Sequence, residues 1–250
     1  MPFTLAHPAG ALPLKWIKKG WFSTTGLVVG SMAPDYEYFL KKYPSPSLGE
    51  TLWGALLFDL PLALIVALVF HLLVKRPLIR NLPQPYDLRL SGYAQNSFLA
   101  YLGKHWLVFI TSMILGIATH FLLDWVTHPF SGPLGNTVIT KVIDIGPLRT
   151  RPLIVAERTF DVVGTLVLFV LALRLNKPAP DYKKAPATYK GIFWALLIIT
   201  IASLLAWDWF DKGGFEGVGI GVTVLIWAAA AGLVVASVLI RLLERQQSRS

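Results

Sequence analysis

Apolar positions fall into long runs with few charges, separated by short polar stretches: Leu52 to Val74, Trp106 to Thr127, Thr159 to Leu175, Gly191 to Trp209 and Gly217 to Ile240. A helix needs about 20 consecutive apolar residues to cross the hydrocarbon core of a bilayer, whereas a surface helix of a soluble domain keeps one polar face. The pattern therefore predicts about five transmembrane helices. The third run is the shortest and carries Asp161 near its start. A further run, Phe22 to Met32, is too short to cross and is expected to form a partly buried or re-entrant helical segment at the amino-terminal side. Trp53, Trp106, Trp125, Trp194, Trp207 and Trp209 stand near the ends of the runs. An amphipathic ring suits the headgroup layer there. The expected fold is all-α, a polytopic membrane helix bundle. No internal repeat is visible. The chain divides into a membrane portion over residues 1–175, a charged Pro/Ala-containing loop over 176–190, and a two-helix carboxyl-terminal portion over 191–250.

Composition supports lipid as the solvent, with 54% hydrophobic residues, only 15% charged and a mean hydropathy of +0.58. The net charge of +9 would suit nucleic acid, but the Lys and Arg residues lie between the apolar runs and not along one continuous face. Membrane lipid, not nucleic acid, is the expected partner. Five spans place the amino-terminal segment, residues 128–158 and residues 210–216 on one side, called side A, with ten Lys and Arg (five, four and one). Side B carries thirteen (five in 75–104, five in 174–190 and three at the carboxyl end) and is cytoplasmic by the positive-inside rule. The opening MPFTLAHPAGALPL has no basic n-region, so a cleaved signal peptide is not expected and His7 stays in the mature chain.

The chain has no cysteine, so a metal would sit on His, Asp or Glu. Ionisable residues do occur inside the runs, where one at a helix centre costs about 2.5–3.5 kcal/mol. His120, Asp124 and His128 recur at every fourth position. Each four-residue step advances about 400°, which places all three on one narrow helical stripe. Asp59 lies at a matching depth, about 10 Å below the side A end of the first span at ~1.5 Å per residue. Side A also collects His7, Asp35, Glu37, Glu50, Glu157, Asp161, Asp208 and Asp211, whereas His71 and His105 fall at the side B ends. Imidazoles with carboxylates are the donor set of a divalent cation such as zinc, manganese or iron, and a spare carboxylate serves as general base. Asp59 has two readings, because Pro61 two residues later leaves the carbonyl of Leu57 without its helical donor. The carboxyl group either caps that irregularity or serves the metal.

The words MPFTLAHPAGALPL, GSMAPDYEYF, TLWGALLFDLPLALIVALVFHLL followed by VKRPLI, and THFLLDWVTHP resemble domain-of-unknown-function family 4184, a family of bacterial membrane proteins, over about the first 175 residues. More distantly, an early His, a PD motif and a late HxxxD are similar to membrane-bound metal-dependent hydrolases related to zinc-dependent phospholipase C. The resemblance implies a metal site built on His7, Asp35, His120, Asp124 and His128, with Asp59 and Glu50 orienting ligands or water. It departs from the family pattern at Glu50, where a His is common before the TLWG words. The implied protein is a hydrolase of the bacterial cytoplasmic membrane acting on a lipid or lipid-linked phosphoester. Two other classes compete: an ion-binding or transport protein, and a structural protein whose His and Asp residues join helices. No GxSxG elbow, HExxH helix or P-loop occurs.

Overall fold

The computed structural model describes residues 3–18, 20–41, 51–127, 142–145, 148–215 and 217–247. They form two compact units, neither continuous in sequence: Met1–Tyr36 with Ser47–Leu64 and Leu102–Arg174, and Glu37–Pro46 with Ile65–Tyr101 and Leu175–Ser250. Residues 65–101 join the carboxyl-terminal helices in one unit.

The first unit is built around its amino-terminal segment. A 3-10 turn, Thr4–Ala6, runs into α1 (His7–Ala11), with Pro8 in the first turn where its missing N–H costs nothing. A short α2 (Leu14–Ile17) follows. Helix α3 (Thr24–Met32) is capped by Ser23, whose hydroxyl accepts a bond from Gly26 N at 3.2 Å. Nine residues give α3 a length of about 14 Å, too short to cross a bilayer. It is buried instead, as the Phe22 to Met32 run predicts, with Gly26, Leu27, Val29, Gly30 and Ser31 inside, and the 3-10 turn Ala33–Asp35 leads from it into α4 (Tyr36–Lys41).

Its neighbour is α9 (Phe98–Thr127), and the two backbones approach through glycines. A Cβ on Gly30 would lie 2.2 Å from the Met113 carbonyl oxygen, one on Gly26 would lie 2.7 Å from that of Phe109, and one on Gly116 would lie 2.6 Å from that of Leu27. Small residues four apart let helices pack without the hydrophobic effect that lipid removes. Helix α9 has non-helical backbone at His105 (φ −130°, ψ 27°), one residue before the expected start of the second span at Trp106.

A single long helix carries the first span. It begins as α5 (Leu52–Gly54), passes through a π-helical turn at Ala55–Asp59 into α6 (Leu60–Val69), then through a second π-helical turn at Phe70–Val74 into α7 (Lys75–Asn81). Pro61 lies just past the first π turn, where a widened backbone accommodates the missing donor. The first unit also contains an antiparallel pair of three-residue strands, β1 (Ile143–Ile145) and β2 (Leu148–Thr150), a minor addition to an otherwise all-α chain.

Helix α10 (Pro152–Arg174) corresponds to the third expected span. It buries Glu157, Asp161 and Gly164 and exposes Val162, Val163, Leu166 and Phe169, and a Cβ on Gly164 would lie 3.3–3.4 Å from Ala9 and Ala6. Polar groups inside and apolar groups outside is the reverse of a soluble helix and the arrangement that hydrocarbon favours.

In the second unit, α8 (Tyr86–Gln95) is tied down by buried Asp87, which accepts from Lys190 Nζ at 2.5 Å. Helices α11 (Ala187–Lys212) and α12 (Val218–Gln247) form a hairpin whose turn starts at Gly213 (φ 71°). Their core is Phe193, Leu197, Ala236 and Ile240. Trp194 is anchored by a bond from its indole N–H to the Asn81 carbonyl at 2.8 Å, while Trp53, Trp106, Trp125, Trp207 and Trp209 are exposed as interfacial rings require.

Four described helices are long and apolar enough to span a bilayer: Ala55–Asn81, Phe98–Trp125, Ala187–Lys212 and Val218–Gln247. Glu157, Arg158 and Asp161 leave α10 outside that set by composition, although its 23 residues suffice in length. The chain is an integral membrane helix bundle.

Candidate metal centre

Three segments of the first unit bring their polar side chains together. Helix α9 supplies His120 and Asp124 one turn apart, and their spacing has the effect the sequence predicts: His120 Nε2 lies 3.2 Å from Asp124 Oδ2. The start of α1 supplies His7, whose ring stacks on that of His120 with centroids 4.1 Å apart and planes inclined by 16°. His7 Nε2 is 3.8 Å from Asp124 Oδ1. The 3-10 turn Ala33–Asp35 supplies Asp35, whose Oδ1 is 3.9 Å from His120 Nε2. His7, His120 and Asp35 are buried, and Asp124 nearly so.

Surrounding groups fix the orientation of these side chains. His120 Nδ1 stands 2.8 Å from the Ser31 carbonyl oxygen. A carbonyl only accepts, so Nδ1 carries the proton and Nε2 is turned toward the two carboxylates. A bare Nε2 lone pair facing carboxylate oxygens is repulsive unless a cation, proton or metal, stands between them. Asp35 is held by the Thr4 hydroxyl, which donates to its Oδ2 at 2.6 Å. Asp161 accepts from Phe3 N at 2.6 Å and from Arg158 at 3.1 Å, tying the entry of the amino-terminal segment to α10. The Tyr36 hydroxyl donates to the Val29 carbonyl at 3.2 Å. Burial, and then the neighbouring Asp35, pushes this phenol above its usual range and keeps it protonated.

One nitrogen of His7, one of His120 and one oxygen of Asp124 all lie within 4.8 Å of one another. Donors about 2.1 Å from a tetrahedral zinc stand roughly 3.4 Å apart, close to the 3.2 and 3.8 Å separations here. Neither ring nitrogen of His7 has a hydrogen-bond partner among the described residues. Buried polar atoms are nearly always satisfied, so these two nitrogens are an exception among the described residues. The donors fit a divalent metal.

Of the remaining sequence candidates, Asp59 is fully buried on the π-helical turn Ala55–Asp59, which packs against Ala33–Asp35. Glu50 and His128 lie outside the described residues. His71 belongs to the second unit, where its ring stacks on Phe98, and His105 marks the break in α9. Asp208 and Asp211 also fall in the second unit. Sequence reasoning missed Thr4 and the Ser31 carbonyl. Thr4 stands three residues before His7, a signal available only once that His is known to be a ligand. A backbone carbonyl leaves no signal at all.

The sequence matches the pattern of a domain of unknown function, DUF4184, over residues 1–242. The chain belongs to DUF4184. The match runs through α11 and into α12, well beyond the 175 residues in which the resemblance is legible. The last two helices are therefore part of the DUF4184 domain. No curated protein and no solved structure matches the chain.

Proposed function

We propose that this DUF4184 protein is a metal-dependent hydrolase of the bacterial cytoplasmic membrane that cleaves a lipid or lipid-linked phosphoester. The observation that carries this reading is the cluster of buried His7 and His120 with Asp124, in which neither His7 nitrogen makes a hydrogen bond among the described residues. Asp35 is the fourth ligand, and His128, four residues after Asp124 in the sequence, is a further candidate. Two imidazoles and two carboxylates favour zinc, with manganese and iron as the alternatives.

A divalent metal held by His7, Asp35, His120 and Asp124 would supply Lewis-acid chemistry toward a phosphoryl group and would make water a better nucleophile. The remaining work falls to the chain. Ser31 and Thr4 hold His120 and Asp35 in register, and Asp59 and Glu50 are the carboxylates assigned to orient the water and take up its proton. The substrate class rests on a cavity of about 430 Å³ lined by Trp53, Ala55, Leu56, Leu60, Ile117 and Phe121 among others. It borders Asp59 and His120 along the chain, and its lining is almost wholly apolar, as an acyl or prenyl chain requires.

The test is metal content by plasma mass spectrometry on detergent-purified protein, wild type beside His120→Ala with Asp124→Ala, both checked for fold by circular dichroism. Near-stoichiometric metal in the wild type, lost in the folded variant, together with chelator-sensitive cleavage of phosphoester lipids, is the expected result. Equal, negligible metal in both folded proteins would assign the cluster to joining helices and overturn the hydrolase reading.

A further inference from the structure

The second unit contains a cavity of about 450 Å³ that the chemistry above does not use. It opens where the end of the first span, the connection leading into α9 and the end of α12 meet. Its lining is cationic. Lys75, Arg76 and Arg80 come from α7, and Arg241 and Arg245 from α12. Glu244 is the one carboxylate in the lining, and it is paired with Arg80 at 3.0 Å. Five cations and one carboxylate thus line a single space.

Two of these cations, Arg76 and Arg241, make no ion pair among the described residues. Lys75 is only 8% exposed, and its ammonium donates to the neutral Asn96 carbonyl at 3.1 Å, which holds the charge in the wall without cancelling it. Gathering like charges at a helix end costs free energy unless an anion offsets it. Guanidinium forks with an ammonium point charge are the donors suited to phosphate oxygens.

Part of the lining is apolar. Leu72, Phe98, Leu99 and Ile240 line the same cavity, with Leu72 and Leu99 exposed on membrane-spanning helices. A small soluble anion gains nothing from such a wall, whereas an amphiphile with a phosphate at one end and hydrocarbon at the other meets both. We propose that this cavity binds the phosphate-bearing headgroup of an anionic membrane lipid. The site belongs to the second unit and does not depend on the metal centre. It lies among the positive charges that mark the expected cytoplasmic side.

Full-length detergent-purified protein is titrated with phosphatidylglycerol, phosphatidylcholine or inorganic phosphate, and bound lipid is read by native mass spectrometry. Arg76→Gln with Arg241→Gln is compared with Lys183→Gln with Lys184→Gln, which removes the same charge from the exposed loop. Phosphatidylglycerol is expected to bind the wild type and the loop variant alike, and the cavity variant about tenfold to thirtyfold more weakly. Phosphatidylcholine is expected to bind weakly to all three. If the double cavity variant fails to fold, Arg241→Gln alone is expected to weaken binding about threefold to fivefold. Equal loss in the loop and cavity variants, or no loss in either, would overturn the proposal. Competition by inorganic phosphate at the lipid's own concentration would overturn the lipid assignment in favour of a small anion.

Discussion

His120 shows how much of a site is decided by one hydrogen bond. Its Nδ1 proton goes to the Ser31 carbonyl, so its Nε2 meets Asp124 and Asp35, and His7 stacks beside it. Thr4 acts one step further out, through Asp35. Groups that orient metal ligands in this way change affinity about 10–100-fold when removed. Thr4→Val is therefore expected to weaken metal affinity within that range while the fold persists, whereas His7→Ala removes a ligand and abolishes stoichiometric binding. Competition with a chelator of known affinity measures both. Thr4→Val protein with wild-type affinity would show that the Asp35 contact does not matter.

At the level of elements, the site depends on α3 lying directly on α9. Gly30 allows that approach because the Met113 carbonyl occupies the place where a Cβ would stand, 2.2 Å away. Gly30→Ala must push the two backbones apart, at a cost of at least about 1–3 kcal/mol. Gly103→Ala, in the same helix α9 but with nothing within 4 Å, is expected to be neutral or to stabilise by up to about 1 kcal/mol. Thermal unfolding in detergent distinguishes the two. A Gly30→Ala melting temperature equal to the wild type would mean that α3 is not held against α9. Displacing α3 also moves Ser31 and the Ala33–Asp35 turn, so Gly30→Ala is expected to weaken metal binding although Gly30 touches no ligand.

On the scale of the whole molecule, both units bury ionisable groups: the second has Lys75, Asp87 and Asp208 beside its apolar hairpin, and the first has more of them. His7, Asp35, Asp59, His120, Glu157 and Asp161 are all buried in the first unit. Such groups are expensive in hydrocarbon unless something compensates them. A ligand that binds only the folded state stabilises it by about 2.7 kcal/mol at a hundredfold excess over its Kd. Chelation is therefore expected to lower the melting temperature of the wild type and to leave His120→Ala with Asp124→Ala unchanged. Scanning fluorimetry with and without added zinc provides the measurement, and a wild-type melting temperature indifferent to both would count against a metal in this unit.

Much of this protein was legible in its sequence, because lipid imposes a length and an apolar composition on every crossing helix. The spans, the buried run at Phe22 to Met32 and the His120–Asp124 stripe all follow from local periodicity. Local periodicity also brings His120 and Asp124 together, since four residues make one helical turn. What no spacing encodes is contact between segments remote in sequence. That His7 stacks on His120, that Thr4 holds Asp35 and that Ser31 orients His120 depends on the amino-terminal segment threading against α9 and α10. The five-cation cavity likewise needed α7 and α12, more than 150 residues apart, to end at one place. Sequence determined which residues were costly to bury in lipid. The tertiary structure decided which of them share that cost, because only packing at glycines and helix ends sets distances between elements.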